Sequence, residues 1–122
     1  KIVGVGYNGL PLGCHDDNFP WGREGETLDT KYPYVVHAEI NAILNSIKNL
    51  NGCSIYVGLF PCNECAKAII QSGIKQVIYL SDKYAETESV IASKRMLDSA
   101  GVDYRKLDVS VKTLSVDYSV VE

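Results

Sequence analysis

Two short stretches hold the residues with the most chemistry in them. In YVVHAEINAIL, residues 34–44, an imidazole and a carboxylate, His37 and Glu39, sit two positions apart in an otherwise apolar run. In PCNEC, residues 61–65, the thiols Cys62 and Cys65 sit three apart at the start of a helical pattern. Residues three apart share a helix face, and thiols at a helix start meet unsatisfied N–H groups and the positive end of the helix dipole, which favour thiolate. Two thiolates there want a cation. With His37 they make a His-Cys-Cys set, and three protein ligands leave the fourth tetrahedral position of Zn²⁺ open to water, as in catalytic rather than structural zinc sites. Two thiolates and a neutral imidazole bring the ion to net zero, and it still lowers the pKa of its water towards neutrality.

Glu39 raises a geometric problem. Successive helical residues are rotated by about 100°, so His37 and Glu39 should point apart. The difficulty disappears if the metal lies beyond the N-terminal end of the helix, where first-turn residues reach over that end from different azimuths. His37 is then a ligand, and Glu39 stands beside the water as a proton carrier. Other readings of the same residues exist. A redox C-x-x-C pair would leave His-Ala-Glu unexplained. A structural zinc needs a fourth ligand, for which Cys14, His15 or Cys53 are the candidates, and these could also build a second metal site. Otherwise they are ordinary thiols and a solvated imidazole.

The elements that must position these residues follow from periodicity. KIVGVGYN alternates β-branched residues with glycine and reads as a strand, followed by a turn-rich loop of some 25 residues, GLPLGCHDDNFPWGREGETLDTKYP, too long to be a plain connector. VHAEINAILNSIKNL has a helical period through Val36, Ile40, Ile43, Leu44 and Ile47, and stops at Asn51-Gly52. CSIYVGLF is a buried strand, CNECAKAIIQSG a helix closed by Gly73, QVIYLSD a strand and AETESVIASKRMLDSAG a helix closed by Gly101, with DYRKL and VKTLSV as weaker strands. This alternation predicts an α/β fold with a mostly parallel sheet covered by helices, and a site outside the carboxyl ends of its strands.

Composition narrows the partners. The 122 residues carry a net charge of −3 with scattered Lys and Arg, no basic stripe, no apolar span of membrane length and no signal-peptide pattern. A cytoplasmic protein acting on a small molecule is expected, with nucleic acid disfavoured and no membrane involved.

GYNGLPLGCHDDNFPW, LDTKYPYVVHAEINAI, GLFPCNECAKAIIQSGIKQVIYLSDKY and AGVDYRKL together resemble the cytidine and deoxycytidylate zinc deaminases over nearly the whole chain. The His-x-Glu and Pro-Cys-x-x-Cys pair is common to that superfamily. The long loop and SDKY point to the deoxycytidylate (dCMP) branch. The resemblance implies a three-layer α/β/α fold with a five-stranded mixed sheet and helices on both faces. It implies hydrolysis of dCMP to dUMP and ammonia, and a homohexamer activated by dCTP and inhibited by dTTP.

By the same resemblance His37, Cys62 and Cys65 match the zinc ligands and Glu39 the proton shuttle. Asn8 matches a residue meeting sugar and base, and Tyr84 one meeting the phosphate. The effector loop would comprise Gly13, Cys14, Asp16 and Asp17, where adjacent carboxylates beside a triphosphate need Mg²⁺ or contacts to base and sugar. Family members carry a helix and a strand before the equivalent of KIVGVGYNG. Residues 1–122 are therefore expected to form a single deaminase domain lacking those two elements. The rivals are a sister deaminase acting on another nucleotide or on tRNA adenosine, and a silent regulatory module.

Overall fold

The computed structural model describes residues 1–108. Two 3-10 turns, Asp16–Asn18 and Thr27–Asp29, precede helix α1 (Ala38–Leu44). After it come strand β1 (Ser54–Leu59), α2 (Asn63–Gln71), β2 (Gln76–Ser81), α3 (Glu88–Ala100) and β3 (Asp103–Lys106). The strands are parallel in the order β1-β2-β3, with Ile55 opposite Val77 and Val77 opposite Tyr104. Parallel neighbours need crossovers, which α2 and α3 supply; each ends at a glycine with positive φ, Gly73 at 85° and Gly101 at 74°, a conformation a side chain would strain.

The register sets the core. Ile55 and Val57 of β1 and Val77 of β2 face Ala66 and Ile69 of α2 and Val90 and Leu97 of α3, with Ile43 of α1 packed against the same cluster. All three helices thus cover one face of the sheet, α2 lying between α1 and α3. Of the expected five strands and three layers, the described residues build three strands and one helical layer. The predicted strand VKTLSV, residues 111–116, lies outside them.

Two expectations are corrected. Residues 1–8 do not form a strand. A cleft of about 480 Å³, lined by Ile2, Val3, Ile43, Leu50, Ile55 and Tyr56 among others, separates their start from the edge of β1, so no ladder forms between them. Their backbone instead meets the α1 region: the Ile47 N–H is donated to Val3 O at 3.0 Å, and the next residue, Gly9, forms an isolated antiparallel bridge with Val36 (N···O 3.1 and 2.7 Å). The alternating glycines serve packing instead: a Cβ on Gly4 would come within 2.8 Å of Ala42 O, and one on Gly6 would run into the backbone at Ala38 and Ala42.

Helix α1 also stops well before Asn51. Ser46 Oγ donates to Ile43 O at 2.8 Å, and the Ile47 N–H is taken by Val3, so the helical ladder loses both a carbonyl and a donor. Leu44 and Ile47, whose spacing suggested a longer helix, are 74% and 79% exposed.

Candidate active site

Cys62 follows directly on β1 and Phe60-Pro61, at the carboxyl end of the strand. Its backbone is extended (φ −69°, ψ 170°), and it is the N-cap of α2, its Sγ accepting from the Cys65 N–H at 3.5 Å. Cys65, one turn on, is fully buried. The turn is tied to the next strand by the Phe60 N–H donated to Ser81 O at 2.9 Å.

His37 reaches the same place from α1, but not as a first-turn residue. It is the N-cap, extended at φ −68° and ψ 151°, and the helix begins at Ala38. That answers the rotation problem differently from the sequence reading: His37 is off the helix altogether, while Glu39 occupies its first turn. The cap is provided from elsewhere. Asn8 Oδ1 accepts the Ala38 N–H at 2.8 Å, and Asn41 Nδ2 donates back to Tyr7 O at 2.7 Å. With its helix capped by Asn8, the imidazole turns to the cysteines: Nδ1 lies 3.3 Å from Cys65 Sγ and 3.4 Å from Cys62 Sγ.

The ligand atoms of His37, Cys62 and Cys65 all lie within 4.8 Å of one another, a spacing that fits one tetrahedral ion. The donor set, one imidazole nitrogen and two sulfurs, suits zinc. Among the described residues this group contains no fourth protein ligand; Cys53 packs against the hydrophobic core, and His15 caps the exposed turn at Asp16–Asn18. Glu39 is 3% exposed, with Oε1 sealed from solvent.

Electrostatics fit a cation site. Hydrogen bonding with the Cys65 side chain, then with His37 and the Cys65 N–H, outweighs burial and pushes the Cys62 thiol down to about 4, so it is a thiolate at neutral pH.

Residues 1–81 match the family model described as the cytidine and deoxycytidylate deaminase zinc-binding region. The chain belongs to this family. It is 54% identical to the deoxycytidylate deaminase of Mus musculus and 53% identical to that of Homo sapiens, each over 99% of this chain and 69% of the relative. Among solved structures, the dCMP deaminase of cyanophage S-TIM5 in complex with dCMP and dUMP matches with a TM-score of 0.65 and 29% identity, over 88% of this chain and 74% of that one. Its apo form matches with a TM-score of 0.63 and 28% identity, over 88% and 72%. As a family member the chain is a hydrolytic deaminase.

The remaining sequence candidates divide. Asn8 stands next to the cluster through its bond to Ala38. Tyr84 lies after β2, at the same carboxyl end as Cys62, 52% exposed, with Lys83 Nζ 5.1 Å from its ring centre and its carbonyl accepting from Thr87 N and Oγ1. Gly13 has a positive φ of 87°, and the Cys14 N–H closes a turn onto Pro11 O. Asp16 and Asp17 are exposed in the first 3-10 turn, where the Trp21 indole N–H donates to Asp16 O at 3.0 Å. Sequence reasoning gave Asn8 a ligand role and missed that it caps α1. An asparagine next to a glycine reads as a turn, and nothing local links it to a helix thirty positions on.

Proposed function

We propose that the protein hydrolyses dCMP to dUMP and ammonia. The observation that carries this is the His37-Cys62-Cys65 cluster at the carboxyl end of the parallel strands, with Glu39 buried in the first turn of the helix that His37 caps. The choice of dCMP is supported by the identity to deoxycytidylate deaminases along nearly the whole chain.

His37, Cys62 and Cys65 would hold Zn²⁺, which when bound makes water acidic enough to attack near neutral pH. The chain's own contribution is proton management and placement. Glu39 takes one proton from the attacking water and delivers it to the pyrimidine ring nitrogen, where the product keeps it, then takes the second proton of that water from the C4 hydroxyl and delivers it to the amino group as it leaves. The water oxygen becomes the new C4 carbonyl, the C4–N4 bond breaks, and the nitrogen departs as ammonia. Asn8, whose Oδ1 holds the Ala38 N–H, has its Nδ2 donors for sugar and base. Tyr84 offers its phenol to the phosphate.

In the same reading the loop at Gly13, Cys14, Asp16 and Asp17 binds the effectors dCTP, which activates, and dTTP, which inhibits; Asp16 and Asp17 would hold Mg²⁺, whose charge would offset their repulsion towards a triphosphate. The working form is a cytoplasmic homohexamer, and its dUMP supplies thymidylate synthesis. A tRNA substrate is disfavoured by the net charge of −3. No helix among the described residues is long and apolar enough to cross a membrane.

The test is turnover of dCMP, dCTP, cytidine and cytosine side by side on the full-length, zinc-loaded protein. Equal amounts of dUMP and ammonia from dCMP, well above the other three, are expected. Preference for cytidine or cytosine would overturn the substrate assignment.

A further inference from the structure

Cys62 itself is held by its own helix, its carbonyl accepting the Ala66 N–H at 2.9 Å and its Sγ the Cys65 N–H, but the residues on either side of it are held from outside. Pro61 has no N–H, and its ring fixes only its own φ. Its carbonyl belongs to a residue that is fully buried, so that oxygen needs a donor. One position after Cys62, the Asn63 N–H opens α2 and has no partner within its own helix. Both needs are met from α3, by residues no sequence motif singles out. Ser93, with no exposed surface, donates Oγ–H to Pro61 O at 2.9 Å. Ser89 accepts the Asn63 N–H at 3.0 Å and is 3.0 Å from Asn63 Oδ1, to which its hydroxyl donates.

The bland account of Ser93 is helix back-bonding, and its Oγ does lie 3.1 Å from Ser89 O. A hydroxyl has one proton, however, and the Pro61 carbonyl is the closer acceptor. Ser89 Oγ has no such local alternative among its contacts: both of them cross to α2. Cys62 is thus pinned by one serine through the residue before it and by another through the residue after it.

We propose that Ser89 and Ser93 are positioning residues for the metal centre, fixing the backbone on either side of Cys62 so that its sulfur stays within ligand distance of His37 and Cys65. The proposal rests on the reading of that cluster as a zinc site. Partners that orient metal ligands typically contribute about 10–100-fold in metal affinity.

The experiment is the rate at which zinc passes from the full-length protein to a chromogenic chelator, beside the melting temperature, in wild type, Ser89→Ala, Ser93→Ala, Ser89→Thr and Met96→Ala. Met96 packs against the core from α3 and lines a cleft with Lys67, Ile70 and Gln71, at the other end of α2 from Asn63, so it reports on general loosening of the helix. Zinc release about tenfold faster in Ser89→Ala and Ser93→Ala is expected, with near wild-type release in Ser89→Thr, which keeps the hydroxyl, and in Met96→Ala. Should Ser93→Ala fail to fold, the Ser89 pair decides. Release from Ser89→Ala within twofold of wild type, or equal acceleration in Met96→Ala, overturns the positioning role. A wild type that holds no stoichiometric zinc overturns the metal reading itself and the proposal with it.

Discussion

The two halves of the molecule are held together by different means, and the candidate site draws on both. From Ser54 to Lys106 each element finds its partner next to it in the chain: three parallel strands, two crossover helices and one apolar cluster between them. Residues 1–53 have one short helix, one isolated bridge and a long loop held by local bonds such as Tyr34 Oη to Leu28 O at 2.8 Å. Cys62 and Cys65 come from the first region, His37 and Glu39 from the second. A metal bound by all three ligands would therefore join a well-packed unit to a lightly packed one, and stability and chemistry should be coupled through it.

Removing a ligand from the packed side is the harshest way to break that coupling. Cys65→Ala should abolish stoichiometric zinc and activity and lower the melting temperature by more than about 10 °C, since both a ligand and a buried side chain are lost. Full occupancy with an unchanged transition would remove Cys65 from the ligand set. Glu39→Gln addresses the other side without touching the metal. It should keep one zinc per chain while kcat falls by about 10⁴-fold, the upper end for a proton-transfer group. Activity within a few-fold of wild type at full occupancy would show that the proton is carried by something else.

Gly6→Ala probes how the lightly packed half is mounted. Its methyl group would meet the α1 backbone at Ala38 and Ala42, next to His37 and Glu39. A loss of about 2–3 kcal/mol in urea unfolding is expected, accompanied by easier zinc loss. A purely local effect, with zinc retention unchanged, would mean that the two halves are less coupled than described.

The pH dependence of the metal-free protein sharpens the electrostatic side. The Cys62 thiol falls from its ordinary 9.0 to about 4 in the fold, so its contribution is complete above pH 9 and shrinks as pH falls towards 4. The stability difference between wild type and Cys62→Ser should accordingly narrow from pH 9 to pH 5, and a gap that widens on acidification would contradict a native thiolate. The smallest effect is expected in the exposed loop. Asp17→Asn should weaken the response of the dCMP saturation curve to dCTP and dTTP while leaving the rate at saturating dCMP nearly unchanged. Wild-type kinetics indifferent to both nucleotides would reduce Asp16 and Asp17 to a solvated turn.

What was legible in the sequence follows the same division. The strands and helices between Asn51 and Lys106 could be read because their partners are their neighbours, and Gly73 and Gly101 mark where α2 and α3 end. That His37, Cys62 and Cys65 come together could be read because ligand chemistry restricts residue type and spacing so tightly. KIVGVGYN misled because alternation specifies only that two faces differ, and here the small face is glycine lying against α1 rather than a strand in a ladder. Helix α1 looked too long because Leu44 and Ile47 continue the period, while Ser46 and Val3, which interrupt the ladder, leave no mark in the hydrophobic pattern. The contacts of Asn8, Ser89 and Ser93 are bonds spanning 26 to 32 residues, which single-sequence periodicity does not contain.

The three candidate ligands differ in access: His37 is exposed, Cys62 intermediate and Cys65 enclosed. Traffic at the centre is therefore one-sided. A cation arriving from solvent meets the imidazole first and the inner thiolate last, and of the three protein ligands His37 is the one within easiest reach of a competing chelator. Oxidants and alkylating agents face the same order, so Cys62 is the sulfur at risk whenever the site is empty, and Cys65 is shielded behind it.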